Sequence, residues 1–144
     1  MPFFEQFEHV LLETRTKSAN IEELILLARK GNVFKNTEIA FSLSPEPITN
    51  EYEKGTASLQ KKLEAIQILL ELKYRVGLRF LPLLPVENYW EVYEALIEEV
   101  KKHIDTAKIS SIFIAPLIYN KGDFSVMKKV SSFPFLTALK ENEN

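Results

Sequence analysis

Residues 38–59 contain the pattern that most restricts what this chain can fold into. The stretch reads EIAFSLSPEPITNEYEKGTASL. Its apolar residues alternate with Ala40 and Ser42, which predicts a buried strand that ends at Ser44, close to two prolines. A loop rich in charged residues then leads into a helix predicted over 57–72. Since α/β folds place their sites at the carboxyl ends of strands, we expect a site among the hydroxyl and charged side chains of this stretch.

The rest of the chain repeats the order of strand, loop and helix. Four strands separated by helices predict a parallel sheet, and their largely apolar residues predict that both faces of the sheet are covered. The expected fold class is therefore α/β, with four parallel strands and covering helices. The predicted strands are 10–14, 38–43, 76–81 and 109–115, and the predicted helices are 21–28, 57–72, 89–104 and 124–130.

The ends of these elements carry recognisable residues. Asn20 and Asn88 each stand three positions before a glutamate, so both are predicted to cap a helix. Phe3, Phe4 and Phe7 make the opening too apolar for a free terminus. We expect them to form a short helix that packs on the core.

Length and charge bound the class of protein. The 144 residues have the usual size of one domain, predicted over 1–140, with a disordered tail over 141–144. A net charge of −2 gives no overall attraction to nucleic acid or anionic membrane. No apolar run approaches the ~18 residues that cross a bilayer, and the start has no export signal. We therefore expect a cytoplasmic chain that makes no membrane contact.

The chain has no cysteine. This excludes thiol catalysis and any cysteine-ligated zinc or iron–sulfur centre held by these residues alone. His9 and His103 are far apart in sequence and lack partner ligands. No glycine-rich phosphate loop, nucleophile elbow or paired-carboxylate motif is present. The sequence therefore predicts no catalytic and no metal-binding residue.

Three segments, in order over about residues 3–100, carry a family resemblance. They read ETRTKSANIEELI, IAFSLSPEPI and YEKGTASLQKKLEAIQILLELKYRVGLRFLPLL. Together they resemble the carboxyl-terminal half of the catalytic domain of spore photoproduct lyase-like radical SAM proteins. The resemblance implies half of a partial (β/α) TIM-like barrel. In that family a [4Fe–4S] cluster on a CxxxCxxC loop cleaves S-adenosylmethionine, and the radical opens a thymine photodimer in DNA, so DNA is a partner by resemblance only.

The resemblance also implies a cofactor site. Lys17 of the RTKS segment and Ser42 of the FSLS segment match positions that hold the amino-acid end of S-adenosylmethionine, and Arg15 and Ser44 adjoin them. A lysine supplies a charge for a carboxylate, and a hydroxyl donates or accepts a hydrogen bond. The alternative is that Arg15 and Lys17 are solvated charges after a strand and that the serines serve the turn before Pro45.

Other charged residues have plainer interpretations. Glu46, Glu51 and Glu53 form a cluster of carboxylates in the sequence, but their spacing is not that of a metal site. This favours a solvated loop. Lys61 and Lys62 are predicted to lie on the exposed side of their helix.

Two departures from the family pattern matter. The cysteine loop is absent, so a [4Fe–4S] cluster requires a partner chain, and Leu81 stands where many relatives have an acidic residue. Half a barrel also leaves strands 10–14 and 109–115 as unpaired edges. We expect an amino-terminal half-domain or a second copy of the chain to cover them.

The sequence thus supports one leading function and two alternatives. The leading interpretation is a carboxyl-terminal half of a spore photoproduct lyase-like protein, inactive alone unless completed in trans. The alternatives are a non-catalytic remnant or binding module with the same fold, and an interrupted reading frame.

Overall fold

The computed structural model describes residues 3–130 and 136, apart from the side chains at 121 and 130. Four parallel strands form one sheet in the order β1-β2-β3-β4. This confirms the predicted α/β class. The predicted tail at 141–144 lies outside the described residues. The strands are β1 (Leu12–Thr16), β2 (Thr37–Ser42), β3 (Arg75–Leu83) and β4 (Ser111–Pro116).

Helices connect the strands and follow the last one. Helix α1 lies between β1 and β2, α2 and α3 lie between β2 and β3, and α4 lies between β3 and β4. Among the described residues, no helix has the length and apolar character needed to cross a bilayer. The helices are α1 (Glu22–Arg29), α2 (Glu46–Tyr52), α3 (Leu59–Glu71), α4 (Tyr89–His103) and α5 (Lys121–Val130), with 3₁₀ turns at Phe4–Gln6 and Thr106–Lys108.

Helix α2 occupies a stretch that the sequence predicted as a polar loop. Pro45 is its N-cap residue, and Pro47 lies in its first turn. The first turn of a helix needs no backbone N–H from these residues, so proline is tolerated there and its fixed φ suits the helix. The prolines that end β2 therefore also start α2.

The core lies between the helices and one face of the sheet. Alternate residues of β2 and β3 point to this side because successive side chains of a strand face opposite ways. They pack against the apolar sides of α3 and α4. The buried residues include Ile39, Phe41, Val76, Leu78 and Phe80 from the sheet and Leu63, Ile66, Leu69, Leu96 and Val100 from the helices.

The opposite face of the sheet, here called the polar face, carries Glu13, Arg15, Glu38, Ser42 and Arg79. Arg79 Nη2 lies 2.5 Å from Glu13 Oε2 and 2.5 Å from Glu38 Oε1. Arg79 and Glu38 are almost fully buried. The strands were predicted to be largely apolar, but on this face an ion-pair network fills the space between them.

The network controls the ionisation of its carboxyls. Hydrogen bonds from Arg79, and next from Arg15, lower the pKa of Glu13 from 4.5 to about 2. Burial is the largest single influence on Glu38 and would raise its pKa, but hydrogen bonds from Ser110, Ser111 and Arg79 together lower it. Both carboxylates are thus stabilised in their charged form by the donors around them.

Burial differs sharply between the inner and outer strands. Every residue of β2 is buried, as predicted for a strand covered on both faces. Strand β4 contradicts that prediction, because Ile112, Phe113 and Ile114 are each at least half exposed. Among the described residues, β1 pairs only with β2 and β4 only with β3. Within the described part of the chain, each of the two outer strands therefore has one free edge.

Several predicted boundaries shift. Strand β1 begins two residues later than expected and contains Arg15, which was predicted to follow it. Strand β3 covers 75–83, so it continues two residues beyond its predicted end and includes Pro82. Helix α5 begins at Lys121 rather than at 124. Strand β4 covers 111–116, two residues later than its predicted start.

Two predicted caps and the opening segment also differ. Asn20 Oδ1 accepts from the Glu22 amide at 3.2 Å, although the N-cap residue itself is Ile21. Asn88 lies at the N-cap position, but its φ is +53° and its side chain makes no capping hydrogen bond. A short 3₁₀ turn forms near the amino terminus, as predicted. Phe3 is 61% exposed and its ring packs on those of its neighbouring phenylalanines, so packing on the core is wrong for this residue.

Candidate cofactor site

The carboxyl ends of β1 and β2 bring predicted site residues side by side. The two strands pair up to Thr16 and Phe41, so Lys17 and the Ser42–Ser44 segment leave the sheet next to each other. The Ala57 amide donates to the Lys17 carbonyl at 3.3 Å, which brings the segment before α3 to the same place. Neighbouring parallel strands thus bring these residues to one edge of the sheet.

Glu53 links two of these residues. Its Oε1 lies 2.6 Å from Lys17 Nζ and accepts from Ser44 Oγ at 2.8 Å. Its side chain is 10% exposed, and its Oε2 is buried without a hydrogen-bond partner among the described residues. The predicted solvated loop is therefore wrong for Glu53, because α2 and the turn at Gly55, with φ of +82°, return the chain over the strand ends.

Lys62 completes the group from the side of α3. It is 1% exposed, and its Nζ donates to the Ser42 carbonyl at 3.2 Å. Burial lowers the pKa of Lys62, the charge of Glu53 partly offsets this, and Lys17 lowers it further. We call Lys17, Ser42, Ser44, Glu53 and Lys62 the strand-end cluster.

The prediction that Lys61 and Lys62 both face solvent is wrong for Lys62 and right for Lys61. A signal for this existed in the sequence. Lys62 follows Leu59 by three positions and precedes Ile66 by four, a spacing that puts all three on one side of a helix. A lysine in the middle of an apolar helical stripe indicates a buried side chain whose nitrogen needs a hydrogen-bond partner.

Arg15 lies outside the strand-end cluster. Its Nε pairs with Glu13, and its guanidinium carbon lies 5.9 Å from the centre of the Phe113 ring. The contact with Phe113 joins the two outer strands across the polar face. Arg15 is half exposed and therefore accessible, but it lies within β1, two residues before Lys17. The structure brings Lys17, Ser44 and the backbone carbonyl of Ser42 together, and it leaves Arg15, like the side chain of Ser42, on the polar face.

The cluster can bind an anion. Lys17 is partly exposed and able to reach a ligand, and Lys62 places a second, buried nitrogen on the Ser42 carbonyl. The Ser44 hydroxyl, on the same Glu53 oxygen as Lys17, supplies a neutral hydrogen-bonding group. Within the described part of the chain, no three histidine, aspartate or glutamate side chains form a possible metal site. The chemistry of this donor set suits a carboxylate or phosphate group.

A separate groove of about 640 Å³ lies on the helix side of the sheet, between α2, α3 and α4. Its lining includes Pro47, Leu59, Leu96, Glu46 and Glu91 and no member of the strand-end cluster. The groove is therefore distinct from the candidate cofactor site.

Comparison with known proteins decides the family. A family model described as "Spore photoproduct lyase" matches residues 1–129. The chain belongs to the spore photoproduct lyase family. A curated spore photoproduct lyase from Clostridium acetobutylicum is 28% identical over 126 residues, which cover 88% of this chain and 36% of that protein. The resemblance read from the sequence is thereby confirmed.

Solved structures of spore photoproduct lyase share the fold. One variant, with bound AdoMet and dinucleoside spore photoproduct, has a TM-score of 0.70 at 20% identity and covers 88% of this chain. Another variant has a TM-score of 0.71 at 19% identity and covers 98% of this chain. The alignments cover 37% and 40% of those solved chains, so this chain spans well under half of the spore photoproduct lyases it matches.

Proposed function

We propose that this chain is an S-adenosylmethionine-binding part of a spore photoproduct lyase-like protein. In this proposal Lys17 and Ser42 position the amino-acid end of the cofactor, and Ser44 and Arg15 assist. The observation that supports it most is the strand-end cluster, where a partly exposed ammonium lies beside the Ser44 hydroxyl at the carboxyl ends of two parallel strands. This is where α/β proteins bind their ligands.

The residues present fit the amino-acid end of the cofactor. Lys17 offers a partly exposed ammonium for its carboxylate, and the Ser44 hydroxyl lies beside it on the same Glu53 oxygen. Glu53 Oε2 is a buried acceptor without a partner in the described structure, which a donor group of the ligand would satisfy. Arg15 provides a second accessible cation below the cluster.

The residues present do not fit an iron–sulfur cluster. When bound in this family, such a cluster supplies the electron that cleaves S-adenosylmethionine, and cysteine thiolates hold it. These 144 residues contain no cysteine. We therefore propose that a cysteine-bearing partner chain supplies the cluster and that these residues alone are inactive. In this proposal the repair of thymine photodimers in DNA requires both chains, and it takes place in the cytoplasm. After reconstitution with iron and sulfide, a brown cluster on this chain alone would contradict that statement.

Calorimetric titration tests the cofactor site. S-adenosylmethionine and methylthioadenosine, which lacks the amino-acid end, are compared on the wild type and on Lys17→Met. We expect Lys17→Met to weaken S-adenosylmethionine binding about tenfold, the effect of one lost charge-assisted hydrogen bond, and to leave methylthioadenosine binding unchanged. The absence of saturable S-adenosylmethionine binding to the wild type would reject the proposal.

A second candidate is a non-catalytic binding module. The exposed apolar strand β4 favours it, because a free edge with half-exposed Ile112 and Ile114 is suited to association. The partner would be the amino-terminal half-domain or a second copy of the chain. Static light scattering separates the candidates: a stable monomer that binds no S-adenosylmethionine would favour a remnant without the family's cofactor function.

A further inference from the structure

The groove of about 640 Å³ between α2, α3 and α4 is one of two neighbouring cavities. The second has a volume of about 390 Å³ and adjoins the first, because Pro47 and Val92 line both. Each volume lies within the ~300–1,000 Å³ that proteins use to enclose a ligand. The two cavities form one extended depression over α2 and α4, which we call the helix-side groove.

The floor of the helix-side groove is apolar and suits a helix. On α4, the lining residues Val92, Ala95 and Leu96 have the spacing i, i+3, i+4, which puts them on one face. Rows of side chains with this spacing are the surfaces on which a further helix packs. The full apolar lining consists of Pro45, Pro47, Ile48, Leu59, Pro85, Val86, Val92, Ala95 and Leu96.

The charged residues that line the helix-side groove are all acidic. They are Glu46, Glu51, Glu87, Glu91 and Glu99. The chain has 20 acidic and 18 basic residues, so its charges are nearly balanced, yet no lysine or arginine of the described residues lines either cavity. Glu99 lies near Lys102 and His103, whereas Glu46, Glu87 and Glu91 form no ion pair within the described ranges. The groove therefore concentrates negative charge around an apolar floor.

This lining determines the chemistry of an occupant. Ionised carboxylates only accept hydrogen bonds, so the donors and the positive charge must come from the partner. Phosphate backbones and acidic peptides are disfavoured, because like charges placed against each other cost binding energy.

We propose that the helix-side groove binds an amphipathic helix of a partner protein. The apolar side of this helix lies on the floor, and its lysines or arginines face the glutamates of the rim. The inference is independent of the proposed function, because no member of the strand-end cluster lines either cavity.

Fluorescence anisotropy with three labelled helical peptides of about four turns tests the chemistry. The first peptide has leucines on one face and lysines beside them, the second has glutamate for every lysine, and the third has serine for every leucine. The first should bind the 144-residue chain saturably, and the other two at least about tenfold more weakly. A first peptide that does not saturate, or that binds no better than either of the others, would overturn the proposal.

Loss of rim charge tests whether the first peptide binds in the groove. Glu46→Gln/Glu91→Gln should weaken its binding about fivefold, the effect of losing two exposed ion pairs. Glu71→Gln/Glu94→Gln makes the same change of charge at exposed positions outside the groove and should bind like the wild type. Equal binding by the two double variants would overturn the assignment.

A substitution that fills the groove provides a second test. Ala95→Arg adds bulk and positive charge at an exposed lining position and should weaken binding of the first peptide at least about tenfold. Gln67→Arg, on the exposed side of α3, is the matched control and should bind like the wild type. Circular dichroism checks that each variant folds, and unchanged binding by Ala95→Arg would overturn the proposal.

Light scattering without peptide separates a partner protein from a second copy of the chain. The wild type and Ala95→Arg should have the same mass at every concentration. Self-association that is present in the wild type and lost in Ala95→Arg would assign the groove to a second copy and overturn the proposal.

Discussion

Arg79 and Glu38 form an ion pair with 2.5 Å between Nη2 and Oε1, and both side chains are at most 3% exposed. Ser111 Oγ donates to the same carboxylate oxygen at 2.7 Å and accepts from Arg79 Nη1 at 2.9 Å. The pair thus joins β2, β3 and β4 on the polar face. Backbone pairing joins each strand only to its neighbour, whereas this side-chain network holds three strands together.

Removing one member of this buried pair should destabilise the fold severely. Arg79→Met leaves Glu38 as an uncompensated buried charge, for which we expect a loss of about 3–5 kcal/mol in the free energy of unfolding. Arg15→Met removes the half-exposed partner of Glu13 and should cost less than about 1 kcal/mol. Urea unfolding of both variants checks this, and equal losses would contradict the assignment of the buried pair as the dominant one.

Gly77 makes space for the network. A Cβ at this position would lie 2.6 Å from Glu38 Oε1 and 2.8 Å from Arg79 Nη1. Both distances are shorter than the van der Waals contacts that a Cβ atom makes in proteins. Gly77→Ala should therefore displace the ion pair and cost about 1–3 kcal/mol. Gly122→Ala, where the nearest atom is 3.4 Å away, should be neutral or slightly stabilising. An unchanged thermal midpoint for Gly77→Ala would show that the pair can shift without loss.

The low pKa of Glu13 predicts acid sensitivity. Its folded pKa of about 2 lies below the ordinary 4.5, so its contribution to stability is complete above pH 4.5 and is lost as the pH falls toward 2. Glu13→Gln should flatten the dependence of unfolding free energy on pH between roughly 5 and 2, leaving the part due to Glu38. The exposed Glu71→Gln is the control, and an identical slope in Glu13→Gln and the wild type would refute the assignment.

Strand β4 should mediate association. Ile114 is 58% exposed on an outer strand whose second edge has no partner among the described residues. Ile114→Lys should reduce association of the chain, because a charge on an edge opposes strand pairing. Ile68→Lys, on the exposed side of α3, should leave association unchanged. Light scattering over a range of concentrations gives the mass, and circular dichroism checks that both variants fold. A wild type that stays monomeric at every concentration would contradict self-association through β4.

Local sequence patterns predicted much of the architecture. Alternation of apolar residues and helical spacing predicted every strand and four of the five helices to within a few residues, since both depend on near neighbours in the chain. The expectation that Lys17, Ser42 and Ser44 belong to one site came from the family resemblance, and it agrees with parallel strands ending at the same edge of a sheet. Helix α2 was missed because proline is common both in loops and in the first turn of a helix, so Pro45 and Pro47 were taken as signs of a loop.

The sequence by itself determined the α/β class, the family and the absence of thiolate ligands, because these depend on periodicity, motif order and composition. Only the tertiary structure decided which charges are buried and with whom they pair. Lys17 meets Glu53 across 36 residues, and Arg79 meets Glu13 across 66. The packing of strands and helices against each other determines these ion pairs, and local sequence patterns do not predict them.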